Sequence, residues 1–93
     1  MTKLDKKAHL YEENNKNKQN TLSVLASLLE HIQRYNDVID LTEDKELFAI
    51  FEYQRKVAKE QVAMLTEWMR RNDEDFQKSL SVYLFSEKPL VDQ

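Results

Sequence analysis

The sequence predicts an all-α fold in which two long antiparallel helices form a hairpin and a short C-terminal helix follows. Three observations lead to this class: the 93 residues contain no Gly and one Pro, 33% are charged, and apolar residues recur at steps of three and four. Tight turns and phosphate-binding loops depend on Gly, so a strand-rich fold and a nucleotide-binding loop are both disfavoured. The absence of Cys excludes disulfide scaffolds and thiolate metal sites.

The first long helix is predicted over residues 20–39, and the same periodicity allows it to begin near Ala8. Its apolar stripe is widened on one side by further apolar residues, and together they are Leu22, Leu25, Leu28, Leu29, Ile32, Tyr35, Val38 and Ile39. Four Asn residues weaken the helix before that stripe. We therefore expect a frayed, partly helical N-terminal segment over residues 1–20 and a helical-hairpin domain over residues 21–93.

The second long helix is predicted from about Glu43 to Arg71, with Thr42 or Asp40 as its N-cap. Its apolar stripe consists of Leu47, Ile50, Phe51, Val57, Ala58, Met64, Leu65 and Trp68. The connection to the first helix is short, which makes the two helices antiparallel neighbours. A third helix follows Asp73 and ends before Pro89, because Pro does not continue a helix.

The two apolar stripes are too wide to be buried against each other in one hairpin. Pairing of two chains across a two-fold axis would complete a four-helix bundle, so the pattern predicts a homodimer. Part of the core should then be buried only between protomers. The residues expected in that core are Leu22, Leu25, Leu29, Ile32, Leu47, Phe51, Met64, Leu65 and Trp68.

The charge pattern limits the classes of partner. The net charge is −3, and acidic and basic residues are interspersed, so no basic face for nucleic acid is expected. The sequence has no apolar run near the ~20 residues that span a bilayer and no signal peptide at its start, so we expect a cytoplasmic protein that does not bind membranes.

Few residues suggest chemistry. Of the two histidines, His9 is expected in solvent and His31 on the surface, since the residue one turn before His31 is Ser27, a poor metal ligand. Gln54 and Gln61 lie one heptad apart on the apolar stripe of the second helix. The interpretation that we favour is a pair of polar layers that set the register of a dimer, and the alternative is the remnant of a polar site.

Two sequence blocks carry a resemblance to a known family. They are Glu67-Trp68-Met69-Arg70-Arg71 and Tyr83-Leu84-Phe85-Ser86-Glu87-Lys88-Pro89. With them, the chain from about Leu22 to Leu90 resembles the encapsulated ferritins, short ferritin-like cargo proteins of encapsulin nanocompartments. The resemblance implies a ferritin-like four-helix bundle formed by two protomers, with dimers joined into a decamer. It also implies a di-iron ferroxidase centre between protomers, in which each supplies a Glu from the first helix and a Glu-x-x-His from the second.

The ligands of that centre do not carry over to this sequence. The Glu of the first helix falls on Leu28, and the Glu-x-x-His of the second falls on Ala58 and Gln61. Leu and Ala have no donor atoms, and an amide is a poor iron ligand. The resemblance places a second carboxylate at Glu30 and a site-lining Tyr at Tyr35.

We therefore expect a non-catalytic homo-oligomer with a structural or regulatory role, a degenerate metal site and no cofactor. One alternative is an iron-binding ferroxidase or iron-storage cargo protein that uses Glu30, His31 and Tyr35. The other is an unrelated helical-hairpin interaction module. The resemblance also implies an encapsulin shell as partner and a nanocompartment as location. It further implies an encapsulin-docking peptide at the C-terminus, usually after a Gly/Ser-rich linker. This sequence stops at Val91-Asp92-Gln93, four residues past Pro89, so we expect a truncated sequence or the loss of cargo status.

Overall fold

Three helices make up the part of the chain that the computed structural model describes, residues 2–91. They are α1 (Lys3–Ile39), α2 (Lys45–Asn72) and α3 (Glu74–Tyr83), and no strand occurs in that range. This confirms the all-α class and the order of two long helices and one short one. Asp92 and Gln93, on which part of the docking-peptide expectation rests, lie outside the described residues.

The start of α1 differs from the expected start near Ala8. A capping box begins the helix at Lys3: the Thr2 hydroxyl accepts from the Asp5 N–H, and the Asp5 carboxylate accepts from the Thr2 N–H, both at 3.2 Å. These bonds satisfy N–H groups that have no partner within the first turn. The helix then runs through residue 20 without a break. The fraying of this segment stays a prediction.

Aspartates begin both later helices. The Asp44 carboxylate accepts from the Leu47 N–H at 2.8 Å and caps α2, and Asp73 caps α3 through the Phe76 N–H at 2.9 Å. The prediction of Thr42 or Asp40 as the cap of α2 is therefore wrong. The Thr42 hydroxyl instead donates to the Val38 carbonyl at 2.6 Å, which closes the last turn before the connection.

The two long helices pack antiparallel along a seam with heptad spacing. The Arg55 guanidinium donates to the Asn36 Oδ1 at 2.6 Å near one end, and Lys18 Nζ lies 3.4 Å from the Asp73 carboxylate at the other. The least exposed positions recur at alternating steps of four and three, as in a coiled coil. On α1 they are Lys18, Thr21, Leu25, Leu28, Ile32, Tyr35 and Ile39, and on α2 they are Phe48, Phe51, Arg55, Ala58, Val62, Leu65 and Met69.

Much of the expected core is open in the single chain. Only Ile39, Ala58 and Met69 are buried within the described residues, and Met69 is the most buried at 2% exposure. Of the residues expected in the core, some are exposed on one or the other side of the hairpin, namely Leu22, Leu29, Leu47 and Met64. Each apolar stripe predicted from the sequence thus combined two sets of residues. One set faces the other long helix, and the other set is exposed in the single chain. Burial of the open set between protomers stays a prediction.

The molecule is thin, with extents of 62 × 41 × 16 Å. A thickness of 16 Å corresponds to a single layer of helices with their side chains. Both broad faces of the hairpin are therefore open to solvent or to a partner. In the range 2–91, none of the helices has an apolar stretch long enough to cross a membrane.

Candidate functional site

A groove on one broad face of the hairpin contains most of the residues singled out from the sequence. It lies between the middle of α1 and the middle of α2 and has a volume of about 310 Å³. Its lining residues are Val24, Ser27, Leu28, His31, Tyr35, Gln54, Val57, Ala58 and Gln61. The groove exists because the hairpin is a single layer of helices, and no other segment within residues 2–91 covers the seam between α1 and α2.

The three positions to which the family resemblance assigns the ferroxidase ligands meet in this groove. Ala58 is buried in the seam, Leu28 is half-buried beside it, and Gln61 is exposed one turn further along α2. Only the Gln61 amide among these side chains carries atoms able to bind a cation. The floor of the groove is therefore apolar at the place where the resemblance puts two carboxylates.

His31 is oriented by the backbone of its own helix. Its Nδ1 lies 2.6 Å from the Ser27 carbonyl, and because a carbonyl only accepts, Nδ1 carries the proton and donates. In the neutral ring this leaves Nε2 as the unprotonated nitrogen. The sequence placed His31 on the surface, which is correct, but it gave no sign that the side chain borders a groove.

Tyr35 connects the groove to the start of α2. Its ring lies 6.2 Å from the Phe51 ring, centroid to centroid, with the planes tilted by 39°. This aromatic pair is within the range in which such contacts contribute beyond their buried area. Gln54 and Gln61 border the same groove, so the two amides that the sequence singled out share one face. The structure records no hydrogen bond from either side chain within residues 2–91.

Glu30 is separate from this set. It is exposed and does not line the groove, whereas His31 and Tyr35 do. The trio Glu30, His31 and Tyr35 is therefore not assembled within one chain. Across the described residues, no three His, Cys, Asp or Glu side chains lie close enough to hold a metal ion together.

Glu67 forms an ion-pair cluster on α2 that the sequence analysis did not predict. Its carboxylate accepts from Arg70 Nε at 2.6 Å and Nη2 at 2.9 Å, and from Arg71 Nε at 2.6 Å. The hydrogen bonds from Arg70 and then Arg71 lower the pKa of Glu67 from 4.5 to about 2. The i, i+3 and i, i+4 spacing of the Glu-Trp-Met-Arg-Arg block was the signal that could have predicted this cluster.

Comparison with known proteins agrees with the fold and with the sequence blocks. A family model described as EncFtn-like matches residues 3–87. The chain is 41% identical over 63 residues to the encapsulated ferritin-like protein of Rhodospirillum rubrum, covering 68% of this chain and 45% of the relative. It is 34% identical over 71 residues to a ferritin-like protein of Thermotoga maritima, covering 76% of this chain and 62% of the relative. The chain thus spans from about half to under two thirds of the length of these relatives.

A solved structure has the same fold. The crystal structure of protein ne0167 from Nitrosomonas europaea superposes with a TM-score of 0.77 at 38% identity, over 84% of this chain and 86% of that one. The alternative of an unrelated helical hairpin is wrong, since the family model covers nearly all of the described residues. The chain belongs to the encapsulated ferritin-like family.

Proposed function

We propose that this protein is a non-catalytic, oligomeric member of the encapsulated ferritin-like family that has lost the di-iron centre and has a structural or regulatory role. The observation that carries the proposal is the chemistry of the groove. Leu28, Ala58 and Gln61 line the groove, and the family resemblance assigns the two carboxylate ligands to Leu28 and Ala58 and the histidine to Gln61.

The groove residues do not fit a pair of iron ions. A di-iron site of this kind needs carboxylates from both helices, because their charge offsets the cost of dehydrating a hard cation. None of the polar side chains at this groove is a carboxylate: they are the amides of Gln54 and Gln61, the hydroxyls of Ser27 and Tyr35, and the imidazole of His31. We therefore derive no iron chemistry at this groove.

The exposed surface supports assembly into oligomers. The chain has an accessible surface of 8255 Å². A compact monomer of 11.2 kDa would expose about 5,700 Å². The excess is more than twice the ~800 Å² that one partner contributes to a standard interface. A two-fold axis over the groove would bury Ile50 and Met64 and would bring two copies of Gln54 and Gln61 together.

The family membership supports a proposal about the partner and the location. The relative in Rhodospirillum rubrum is named as encapsulated, and we propose that this chain also associates with an encapsulin shell in the cytoplasm. The second candidate function is iron binding through His31 and Tyr35, with Glu30 supplied by another protomer. The observation that favours it is the His31 orientation, which leaves Nε2 free to bind a metal while Nδ1 is held by Ser27.

One set of measurements tests both candidates. Light scattering on the purified protein should give the mass of a dimer or a multiple of it. Titration with ferrous iron under anaerobic conditions, followed by exposure to air, should show no stoichiometric binding and no oxidation above the buffer rate. Stoichiometric oxidation that His31→Gln abolishes, and that an exposed control such as His9→Gln leaves intact, would establish the second candidate instead. A folded monomer at micromolar concentration would refute the oligomeric scaffold.

A further inference from the structure

The first helix carries charges at both ends that its own dipole disfavours. A helix has a partial positive charge at its N-terminus and a partial negative charge at its C-terminus. Lys3 and Lys7 nevertheless lie in the first two turns of α1, and Asp37 and Asp40 lie in its last turn and at its C-cap. Asp5 of the capping box is the acidic residue of the first turn, and the last turn has no basic residue. The two lysines and the two aspartates therefore do not stabilise α1 itself.

The basic end of α1 extends beyond the hairpin. Lys18 contacts Asp73, where α2 ends, so residues 3–17 have no antiparallel neighbour in their own chain. We call residues 3–17 the arm; it is roughly 22 Å long. Its side chains are therefore open to a partner over most of the circumference of the helix.

One side of the arm is both basic and apolar. Lys3, Lys7, Leu10 and Tyr11 recur at i, i+4, i+7 and i+8, so they lie on the same side of the helix, which we call the basic face. Leu10 and Tyr11 are 63% and 69% exposed. The three acidic residues of the arm lie on other sides of the helix. The basic face thus presents two positive charges and two large apolar side chains.

The opposite end of the hairpin is acidic and apolar. We call residues 37–46 the tip; they contain five acidic residues and one Lys. Leu41 in the connection is 83% exposed, and Leu47 at the start of α2 is 43% exposed. A shallow cavity of about 320 Å³ beside Leu47 is lined by Asp44, Glu46, Leu47 and Ile50. The tip is therefore complementary to the basic face in charge, and both surfaces have exposed apolar side chains.

Neither surface has a counter-charge in its own chain. Within residues 2–91, the lysines of the basic face and the acidic residues of the tip form no ion pair. The two surfaces lie at opposite ends of α1, which is 37 residues long, so they do not meet in one chain. Opposite charges on the two ends of an elongated molecule favour a heterologous contact between copies.

We propose that the basic face of the arm in one copy binds the tip of a second copy, so that copies associate end to end. The lysines of the basic face then pair with Asp37 and Asp40, and Leu10 and Tyr11 cover Leu41. Each contact neutralises charges that the α1 dipole disfavours. This inference rests on the proposed function, because it assumes a homo-oligomer.

The end-to-end contact is separate from the groove-centred dimer. A two-fold axis that passes over Leu28, normal to the broad face, makes the two α1 helices antiparallel. Asp40 of one protomer would then lie beside residue 16 of the other, because both are twelve residues from Leu28. Residue 16 is roughly 14 Å from Lys7 along the helix. The basic face is therefore still open in that dimer, and a further copy supplies the tip that covers it.

The first test reverses the charge of one surface at a time in the full chain. The arm variant is Lys3→Glu, Lys7→Glu, and the tip variant is Asp37→Lys, Asp40→Lys. Each variant should keep or raise the thermal stability of the fold, because its new charges suit the α1 dipole. Each should weaken association beyond the dimer by about tenfold in sedimentation velocity, since attraction between exposed charges becomes repulsion. Unaltered association of either variant would refute the contact.

A mixture of the two variants tests the pairing itself. Association should recover in an equal mixture, because the acidic arm of one variant then meets the basic tip of the other. The control Lys6→Glu, Lys16→Glu makes the same change in net charge outside the basic face, and it should change the association of the protein by less than about twofold. Raising NaCl from about 0.1 M to about 1 M should weaken association of the unaltered protein, because the screening length falls from ~10 Å to ~3 Å.

Three results would refute the end-to-end contact and leave the groove-centred dimer standing. They are a mixture that stays dimeric, a control that dissociates as far as the arm variant, and an unaltered protein that is only a dimer at low salt. A monomeric unaltered protein would refute the proposed oligomer as well.

The second test identifies the occupant of the tip directly. The chain contains no cysteine, so introduced thiols are the only ones present. The double variant Lys7→Cys, Leu41→Cys should form disulfide-linked chains under mild oxidation. The yield should fall about fivefold in His9→Cys, Leu41→Cys, because position 9 lies outside the basic face and a disulfide needs Cα atoms within ~7 Å. Equal yields in both variants, or no linked chains in either, would overturn the proposal.

Discussion

Placing carboxylates in the groove is the most direct test of the proposal that the metal site has been lost. The perturbation is the triple substitution Leu28→Glu, Ala58→Glu, Gln61→His in the full chain, which rebuilds the ligand types that the family resemblance implies. We expect the metal-free variant to be destabilised and a divalent cation to reverse most of that loss, because metal binds only the folded, assembled state.

The expected loss of stability in the metal-free variant has two components. Ala58 is only 5% exposed, so a longer side chain there must displace its neighbours in the seam, which costs about 1–3 kcal/mol. Two carboxylates roughly 6 Å apart repel by ~3 kcal/mol at an effective dielectric constant of about 20. Protonation of one group relieves part of that repulsion, so the charge component should be about 1–3 kcal/mol at neutral pH. Metal at one hundred times its dissociation constant should return ~2.7 kcal/mol.

The assay is urea unfolding followed by circular dichroism, with and without Mn²⁺ as a redox-stable probe. The control is Leu28→Gln, Ala58→Gln, Gln61→His, which has the same side-chain volumes without the charges. The carboxylate variant should be less stable than the amide variant at pH 7, and the two should converge below pH ~4 as the carboxylates become protonated. Only the carboxylate variant should gain stability from Mn²⁺.

Two results would refute this reasoning. Equal stability of the carboxylate and amide variants at pH 7 would show that positions 28 and 58 do not bring their charges together. An equal response of both variants to Mn²⁺ would show that the metal binds elsewhere on the chain. In either case the alignment of the lost ligands with Leu28, Ala58 and Gln61 would be wrong.

Three further predictions concern the scaffold. Met69→Ala should lower the free energy of unfolding by about 2–5 kcal/mol, because the Met69 side chain is only 2% exposed. Leu41→Ala is the control, since Leu41 is 83% exposed, and it should change the free energy of unfolding by less than about 0.5 kcal/mol. Similar losses for the two variants in urea titrations would contradict the seam described above. The pKa of Glu67 is about 2 in the folded chain and 4.5 when the group is unpaired, so its contribution to folding stability is complete above pH 4.5 and is lost as the pH falls towards 2. Glu67→Gln should therefore make the stability depend less on pH between 4.5 and 2. An unchanged acid-unfolding curve would count against the cluster. Asn36→Ala should lower the free energy of unfolding, measured by thermal unfolding, by about 0.5–1.5 kcal/mol, because it removes the hydrogen bond from Arg55. In an Arg55→Ala background the same substitution should have no effect, which completes a double-mutant cycle.

The number and order of the helices could be predicted from the sequence because the periodicity is long and its interruptions are clear. The acidic connection around Asp44 and the Asn72-Asp73 pair are strong stop-and-start signals, and both occur at real helix boundaries. The choice of cap at Asp44 was missed because three neighbouring residues in the connection can all accept a backbone N–H. Only the position of the last turn of α1 decides between them.

The orientation of the apolar stripes was harder to predict. On α2 two heptad series run side by side, one through Phe51 and Leu65 and the other through Ile50 and Met64. Both are apolar, so periodicity does not say which one faces α1. The structure places the first series in the seam and leaves Ile50 and Met64 exposed. A wide stripe on a helix predicts two contact surfaces, but their assignment depends on tertiary packing.

The candidate site was predicted in part. The resemblance brought Leu28, Ala58 and Gln61 together, and the structure places all three in one groove. The His31 contact was missed, because its partner is a backbone carbonyl, and no residue type in the sequence marks such a partner. The Glu67 cluster was missed for a different reason: surface carboxylates are usually solvated, and only the side-chain geometry shows two arginines on one of them.

The positions of the aligned ligands also bear on how the scaffold can fold without metal. Leu28 and Ala58 belong to the heptad seam between α1 and α2, whereas Gln61 lies on the open stripe. Carboxylates at the two seam positions would interrupt an apolar contact surface, and a bound cation would be needed to offset their repulsion. With Leu and Ala there, the apolar seam is continuous and packing stabilises the hairpin in the absence of metal. On the proposed function, Leu28 and Ala58 would therefore both remove iron chemistry from the groove and let the hairpin pack without a bound cation.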